Sequence, residues 1–446
     1  MSDSEFGRIT DEKVSRLRER IGINLHSENF EEPDVDPAIW SARPTGFNHE
    51  VTADGIRHFV HGYGDDNPLY CDESYALGSN WDGLVAPPTF VWSMYLSPQH
   101  DETTFGGADE PPRRLVPALG ERIKGDPLRG TGMLQSHVGY EFYRPLRIGD
   151  RLFAKRTLLG VSEKESSWGG RTVHVTFGVV TWNQRRELVH FQRGTWIRAE
   201  RRPLEAGRGE SDRVVQPAAD PYTEEQLAEI DAAYASERRR GAEPRFWEDV
   251  EIGEELPLRV KGPLRVTDVI LWHAGFGQAF HTYAFRLSYE RRMLSPGLYS
   301  PNEYNVPDIV QRMHWDAEWA RKVGAAERYD YGALRETWLA QLATDWAGDD
   351  SWILSLDAEH RRFNYVGDTT WLKGEVAQKS MRGDQAVVEL DMYCENQRGE
   401  RSSTGTAVVA LPTRQGGTSL TLTRPLDTDP IDHLRRQLDR MDVADA

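Results

Sequence analysis

The sequence predicts an α+β protein built from two related halves, each with helices followed by antiparallel strands. Short turn motifs recur at a nearly constant separation, and strand-like runs rich in β-branched and aromatic residues flank them. The paired anchors are Thr52 and Thr267, 215 residues apart, Gly149 and Gly367, 218 apart, and Asn183 and Asn396, 213 apart. Residues 333–346 add a helical pattern with one apolar face, formed by Leu334, Trp338, Leu339, Leu342 and Trp346. We therefore expect a buried helix wrapped by an antiparallel sheet.

Chain length and composition shifts predict the domain organisation. A chain of 446 residues is longer than one ordinary domain. The predicted divisions are an N-terminal extension at 1–45, an N-terminal half at 46–200, a linker at 201–244, a C-terminal half at 245–412 and a tail at 413–446. The linker is rich in Pro, Gly and charge, and its second part predicts a solvated helix.

Composition excludes several classes of function. The chain is 38% hydrophobic and 28% charged, as in soluble globular proteins, and its net charge of −17 argues against a nucleic-acid partner. No apolar run could span a membrane and no signal peptide is recognisable, so a cytoplasmic location away from membranes is expected. Cys71 and Cys394 are too few for a disulfide framework. Motifs for zinc or dinucleotides are missing, so no metal is expected.

A run of turn residues in the N-terminal half points to chemistry. Residues 64–70 read Gly-Asp-Asp-Asn-Pro-Leu-Tyr. This resembles the Gly-Asp-x-Asn-Pro-x-His signature of MaoC-like acyl dehydratases and R-specific enoyl-CoA hydratases, in which the Asp and His are catalytic. Tyr70 stands where that family has His. The resemblance therefore implies that Asp65, Asn67 and Tyr70 hold substrate; a tight turn without function is the alternative.

The C-terminal half begins like a MaoC-like domain at residues 245–253 and 262–267. Over residues 46–412 the chain resembles the double hot-dog form of the family, whose N-terminal half is a FAS1-like dehydratase domain. That resemblance implies a tandem (double) hot-dog fold, with a long central helix wrapped by an antiparallel sheet in each half. One chain would form a pseudo-dimer, and a homodimer of such chains is left open. The expected partner is an acyl thioester carried on coenzyme A or a carrier protein, with no other cofactor.

The signature is displaced in the C-terminal half by an insertion of 29 residues. Residues 314–316 read His-Trp-Asp and lie 244 residues after the Tyr-Cys-Asp of 70–72. The same separation relates Pro88 to Gly332, so both predicted helix starts stay in register, with a longer loop near 97–131.

Three residues then fall near the family's Asp, Asn and His, namely Asp308, Gln311 and His314. Asp308 lies six residues before His314, one more than in the family. The resemblance makes His314 and Asp308 the catalytic candidates and Gln311 a substrate contact. A core or surface histidine without a catalytic role is the alternative for His314, and Asp316 is expected to be an N-cap or an orienting residue.

The implied reaction sets requirements that further residues could meet. Dehydration of a 3-hydroxyacyl thioester needs a base, an acid and donors to the thioester oxygen. Gly332 begins the predicted central helix, where unpaired N–H groups favour negative charge, and Arg335 lies in the first turn. Arg362, beside the second Gly-Asp turn, is a candidate for the phosphates of coenzyme A. A merely flexible helix start and a solvated strand are the alternatives.

The sequence therefore predicts a hydro-lyase of fatty acid or secondary metabolism, with the reaction in the C-terminal half and the acyl group held by the N-terminal half. A non-catalytic acyl-thioester-binding protein is one alternative, because both signatures are altered. A hot-dog thioesterase, with a carboxylate beside the same helix, is another. The insertion, rich in Tyr, Phe and Arg, is predicted to set substrate choice.

Overall fold

The computed structural model describes residues 7–22, 48, 50–95, 127–128, 130–166, 170–200, 219–277, 284–294, 296–383, 385–416 and 429–444. Its strands are β1 (Gly132–Phe142), β2 (Leu152–Ser166), β3 (Gly170–Asn183), β4 (Leu188–Ala199), β5 (Arg259–Lys261), β6 (Tyr299–Pro301), β7 (Pro307–Ile309), β8 (Trp352–His360), β9 (Thr370–Arg382), β10 (Gln385–Asn396) and β11 (Arg401–Ala410). Its α-helices are α1 (Asp11–Arg18), α2 (Ala53–Tyr63), α3 (Pro68–Cys71), α4 (Glu73–Leu77), α5 (Trp92–Tyr95), α6 (Glu224–Ser236), α7 (Val266–Phe276), α8 (Phe285–Leu294), α9 (Ala317–Lys322), α10 (Gly332–Ala347) and α11 (Pro430–Ala444).

One nine-stranded antiparallel sheet joins the two halves. Its strand order is β2-β3-β4-β1-β8-β11-β10-β9-β5, so the order within the N-terminal half is mirrored in the C-terminal half. The halves meet where β1 pairs with β8, with Val138 opposite Ala358 and Tyr140 opposite Leu356. The predicted α+β class and internal repeat are therefore confirmed.

Helix α10 fills the centre of the C-terminal half. The sequence predicts a helix over 333–346, and the structure extends it by one residue at each end. All five residues of the predicted apolar face are buried, but Glu336 and Asp345 are buried too, so the helix is enclosed on nearly every side. In the N-terminal half, a 3₁₀ turn (Pro88–Val91) and α5 begin at the corresponding place, and residues 96–126, which include most of the predicted loop, lie outside the described residues.

The Gly-Asp turns are built alike in both halves. Gly149 and Gly367 have φ of 86° and 97°, a conformation that favours glycine. The carboxylates of Asp150 and Asp368 each accept the amide three residues earlier, at 3.0 Å in both halves. Each also pairs with an arginine of the hairpin that begins at Asn183 or Asn396, in the pairs Arg185–Asp150 and Arg398–Asp368. These two anchors of the predicted repeat are confirmed.

The predicted pairing of Thr52 with Thr267 differs by two residues from the pairing of the two helix starts in the structure. Thr52 is the N-cap of α2, and its hydroxyl accepts the Gly55 amide at 3.0 Å. Thr267 lies inside α7, whose N-cap is Arg265. The Asp268 carboxylate accepts the Arg265 amide at 2.8 Å and so supplies the side-chain cap instead. The prediction that Thr267 is the counterpart of Thr52 was therefore wrong.

Helices α2 and α7 cross where two glycines meet. A Cβ on Gly275 would lie 2.3 Å from the carbonyl oxygen of His58 and 3.0 Å from the Cα of Gly62. These are backbone atoms that cannot move aside. The missing side chains therefore allow the two helices, one from each half, to pack in direct backbone contact.

Segments outside the two halves also contain helices. Helix α6 lies in the predicted linker and begins with a capping box at Thr223 and Gln226. Helix α11 lies in the predicted tail and packs on β3, burying Leu434 and Leu438. Within the described ranges, no helix is both long and apolar enough to cross a membrane.

Candidate functional site

The segments that carry the two signatures are each followed by a short helix with an aspartate at its N-cap. Asp72 caps α4 by accepting the Tyr75 amide at 3.0 Å, and Asp316 caps α9 by accepting the Trp319 amide at 2.9 Å. The separation of 244 residues thus holds, and Asp316 has the N-cap role expected of it. In this register His314 is the counterpart of Tyr70, Gln311 that of Asn67, and Ile309 that of Asp65.

His314 is buried at the end of a 3₁₀ turn (Val310–His314), with 8% of its surface exposed. Its Nδ1 lies 2.8 Å from the carbonyl oxygen of Tyr329. A carbonyl can only accept, so Nδ1 carries the proton and Nε2 holds the lone pair. Nε2 has no hydrogen-bond partner among the residues that the structure describes. Burial lowers the pKa of His314 to about 4, against the raising effect of the Tyr329 carbonyl, so the ring is neutral at pH 7.

Tyr331 connects His314 to the start of the central helix. Its ring stacks on the His314 ring with 3.9 Å between centroids and 29° between planes. Its hydroxyl lies 3.2 Å from Nδ1 of His273 and also hydrogen-bonds the side chain of Gln311. The structure therefore brings the predicted His314 and Gln311 together, next to Gly332.

Asp308 lies in β7, where it contacts its own chain and Arg312. Its half-buried carboxylate accepts the amide of Ile309 at 2.7 Å. Its carbonyl, not its carboxylate, accepts from Arg312, which is 2% exposed and also binds the carbonyls of Ser300, Pro301 and Ile309. Arg312 thus fastens the β6–β7 hairpin of the insertion to the turn that carries His314.

A second polar cluster lies on the other side of Gly332. A Cβ on Gly332 would come within 2.8 Å of Oε1 of Gln135 and 2.9 Å of Nε2 of His360. Both side chains also contact the fully buried carboxylate of Glu336, at 2.9 Å and 3.0 Å. The Tyr140 hydroxyl donates to the same carboxylate. Any larger residue at position 332 would therefore have to displace the side chains of Gln135 on β1 and His360 on β8.

The first turn of α10 contains two kinds of hydrogen-bond donor, the backbone amides and the guanidinium of Arg335. Leu334 donates its amide to the carbonyl of Tyr331 at 3.0 Å, while the amides of Gly332 and Ala333 find no hydrogen-bond partner in the part of the chain that the structure describes. Helix geometry leaves such amides unpaired, and they favour negative charge. Arg335 is occupied instead, paired with Asp330 at 3.2 Å and bonded to the carbonyl of Arg362 at 2.9 Å.

Arg362 and its counterpart in the N-terminal half, Arg144, each form an ion pair with a glutamate. Its guanidinium pairs with Glu400 at 3.2 Å, and Arg144 pairs with Glu187 at 3.7 Å. The Arg362 side chain is 39% exposed, so it can still meet solvent.

The signature of the N-terminal half forms a closed hydrogen-bonded turn. The Asp65 carboxylate accepts the Tyr63 hydroxyl at 2.8 Å and the Asn67 amide at 3.0 Å. The Asn67 side chain caps α3 and donates to Asp349 at 3.3 Å. The predicted substrate-holding residues are thus tied to the far end of α10.

Tyr70 occupies the position of the family's His and lies against the same end of α10. Its hydroxyl hydrogen-bonds Thr344, and burial, then the charge of Asp65, raises its pKa well above 10. Asp345 nearby is buried and pairs with Arg259 at 2.6 Å. Burial and then Asp65 nevertheless raise the pKa of Asp345. This end of the helix is a network of buried charges.

Sequence reasoning missed four polar residues around the start of α10, namely His273, Tyr331, Glu336 and His360. Glu336 had a signal, since it is a carboxylate inside an apolar helix pattern. Tyr331 precedes the helix directly but had no distinguishing pattern, while His273 and His360 meet the helix start only through tertiary packing of α7 and β8. Among the described residues, no group of His, Cys, Asp and Glu could hold a metal ion.

Comparison with known proteins places these features in context. Residues 40–192 match the family model described as "FAS1-like, dehydratase domain region". A protein of Thermomonospora curvata named "Probable enoyl-CoA hydratase alpha subunit" is 29% identical over 147 residues, 32% of this chain and 43% of that protein. A UPF0336 protein of Streptomyces avermitilis is 30% identical over 113 residues, 25% of this chain and 61% of that protein. The chain thus spans about two to three fifths of the length of these relatives.

A solved structure covers more of the chain. A MaoC-like dehydratase superimposes with a TM-score of 0.54 and 17% identity over 83% of this chain and 96% of that chain. At this identity the likeness shows the fold. Together with the mirrored strand order, it confirms the predicted tandem hot-dog architecture and the resemblance to MaoC-like dehydratases with a FAS1-like N-terminal half.

Proposed function

We propose that this chain is a hydro-lyase that reversibly dehydrates a 3-hydroxyacyl thioester to the enoyl thioester. The dehydratase family match over residues 40–192 and the enoyl-CoA hydratase relative support the reaction class. The observation that carries the proposal is His314, a buried neutral imidazole beside the start of the central helix. Its Nδ1–H is committed to Tyr329, so its Nε2 is the atom that can take a proton.

One histidine can supply both proton transfers. Nε2 of His314 removes the proton from C2, and the electron pair forms an enolate whose charge lies on the thioester oxygen. The pair then forms the C2–C3 double bond and expels the hydroxyl from C3. That hydroxyl takes the proton held on His314 and leaves as water. The amides of Gly332 and Ala333, at the start of α10, are donors for the enolate oxygen.

The remaining assignments belong to the same proposal. The acyl thioester is carried on coenzyme A or a carrier protein, Arg362 meets its phosphates, and no other cofactor takes part. The N-terminal half, with Asp65, Asn67 and Tyr70, supports the acyl-holding side, and the chain works as a pseudo-dimer in the cytoplasm. The insertion, fastened beside His314 by Arg312, selects among acyl groups.

A panel of enoyl- and 3-hydroxyacyl-CoA thioesters tests the reaction. We expect interconversion of the two forms, measured by the absorbance of the conjugated double bond and by mass spectrometry. His314→Asn should lower kcat/KM by about 100-fold or more, the usual contribution of a general base. Asp308→Asn should stay within about threefold, because its carboxylate is committed to the Ile309 amide. Full activity of His314→Asn would contradict the site assignment.

A non-catalytic acyl-thioester-binding protein is the second candidate. Ile309 occupies the position that Asp65 has in the other half, and Tyr70 occupies the position of the family's His, so neither half has the complete pair. Calorimetric binding of an acyl-CoA without turnover would favour this candidate. Release of free thiol from the same thioesters would instead identify a thioesterase.

A further inference from the structure

We propose that Gln135, on β1 of the N-terminal half, binds the carrier arm of the thioester. Its Oε1 accepts a hydrogen bond from the first amide N–H beyond the sulfur. That secondary amide is common to coenzyme A and to the phosphopantetheine arm of carrier proteins. The assignment rests on the proposed hydro-lyase function, and it adds a contact from the N-terminal half to the site at His314.

A β-bulge turns Gln135 toward the central helix. Val138 and Tyr140 of β1 are buried in the core cluster that also contains the apolar face of α10. Strict alternation along the strand would turn Gln135 to the other face of the sheet. The β1–β4 register shifts between Gln135 and His137, however, so Ser136 is an extra residue and Gln135 lies on the helix side. Bulges of this kind redirect a side chain and are frequent beside active sites.

The Gln135 amide is held in one orientation. Its Nε2 donates to the buried carboxylate of Glu336 at 2.9 Å. That carboxylate is itself fixed by His360, at 3.0 Å, and by the Tyr140 hydroxyl. Because a carboxylate oxygen accepts from the NH₂ group, the amide oxygen is the end that stays available. Oε1 of Gln135 has no hydrogen-bond partner within the described ranges, and the residue is only half-buried, so a ligand can reach it.

This oxygen lies directly beside the start of α10. A Cβ on Gly332 would be 2.8 Å from Oε1 of Gln135, so the missing side chain leaves room for the oxygen. Tyr331, one residue earlier, stacks its ring on His314. Consecutive residues of a helix point about 100° apart. The base and the Gln135 oxygen therefore flank the helix start on two different sides.

The structure of a thioester assigns a part of the substrate to each side. Its carbonyl carbon carries C2 and the sulfur on either side of the oxygen. With the oxygen at the amides of Gly332 and Ala333 and C2 at Nε2 of His314, the sulfur falls on the remaining side, where Gln135 lies. The first N–H of the carrier arm is two methylene groups beyond the sulfur. An amide oxygen is a suitable acceptor for that N–H.

Replacement of this N–H by oxygen tests the contact. The measurement is kcat/KM for the N-acetylcysteamine thioester of a 3-hydroxyacyl group and for its 2-acetoxyethyl analogue, in which an ester oxygen replaces the N–H. The wild type should favour the amide by about tenfold, because the ester has no donor for Oε1. Gln135→Met removes the acceptor at similar size. It should bring the two values within about threefold, mainly by raising KM for the amide.

Ser136→Ala is the matched control. Ser136 is the next residue of β1, and its hydroxyl donates to the carbonyl of Thr195 at 3.1 Å, so this variant should keep the wild-type preference. Equal losses for both substrates in Gln135→Met would indicate a structural role and overturn the assignment. A wild type without a preference for the amide would overturn it as well, whether or not Gln135→Met folds. A wild type that turns over no thioester at all would instead overturn the proposed function.

Thioesters of one acyl group on coenzyme A and on a carrier protein distinguish the two sources of the arm. The carrier that gives the higher kcat/KM with the wild type is the one that the site accepts. Gln135→Met should lower that kcat/KM by about tenfold, because both arms contain the same amide. A loss smaller than about threefold would overturn the contact.

Discussion

At the scale of single residues, the properties of His314 come from its two contacts. The Tyr329 carbonyl fixes the tautomer, and the ring of Tyr331 excludes water from one face. Burial then favours the neutral ring. A surface histidine would be partly protonated at pH 6, whereas this one is available as a base throughout the physiological range.

The pH dependence of activity should reflect this burial. Because burial lowers the pKa of His314 to about 4, the neutral base should be nearly fully populated from pH 5.5 to 7.5. We expect kcat/KM to change by less than about twofold over that range. An ordinary histidine, with a pKa of about 6.5, would lose about tenfold. His273 also has a pKa lowered by burial, so it is not expected to add a titration step in that range. A measured limb near pH 6.5 would contradict the buried-base assignment.

The sequence could predict His314 and Gln311 because both follow from the repeat register of the N-terminal turn. It could not place the Asp308 carboxylate, since that residue lies within β7 of the insertion's hairpin and the repeat gives no counterpart for a hairpin. Tyr331 had no distinguishing pattern either. Its contact with His273 depends on the packing of α7 and is a long-range contact.

At the scale of elements, the central helix and the helix crossing organise the site. Helix α10 was predictable because its apolar spacing is regular, and its start at Gly332 followed from the alignment with Pro88. The start of α7 was less predictable, since the pairing of Thr267 with Thr52 is two residues away from the N-cap at Arg265. The carboxylate of Asp268, three residues after Arg265, satisfies the amide instead.

The crossing of α2 and α7 should be intolerant of a single methyl group. Gly275→Ala would place a Cβ 2.3 Å from the carbonyl oxygen of His58, and only a shift of the helix could relieve the clash. We expect the free energy of unfolding to fall by about 1–3 kcal/mol, as for other overpacked sites. Chemical denaturation monitored by circular dichroism measures this.

Gly78→Ala is the control for that variant. Gly78 has a φ of −83°, and a Cβ there would meet the carbonyl oxygens of Tyr75 and Ser74 at ordinary contact distances of 3.5 Å and 3.7 Å. Its stability should be unchanged or slightly raised, by less than about 1 kcal/mol. A Gly275→Ala variant as stable as Gly78→Ala would mean that the two helices can separate freely.

At the scale of the whole molecule, the two halves share one sheet and one site. The β1–β8 seam lets Gln135 and Tyr140 of the N-terminal half reach Glu336 of the C-terminal half, which His360 also contacts. The sequence predicted the duplication from its turns. The pairing of β1 with β8 was not predictable, because strand partners in different halves are not encoded by local periodicity.

The duplication also provides an internal control for the central claim, that the reaction is carried out at His314 in the C-terminal half. Tyr70 is the counterpart of His314 in the repeat register, and its hydroxyl hydrogen-bonds Thr344 near the opposite end of α10. The most direct measurement is kcat/KM for a 3-hydroxyacyl-CoA thioester in His314→Asn and Tyr70→Phe, with melting temperatures recorded for both. We predict a loss of about 100-fold or more in His314→Asn, whereas Tyr70→Phe should keep kcat within about threefold and confine any loss to KM, as expected for a residue on the acyl-holding side. Retained activity in His314→Asn together with a large loss in a folded Tyr70→Phe would contradict the account and place the reaction in the N-terminal half.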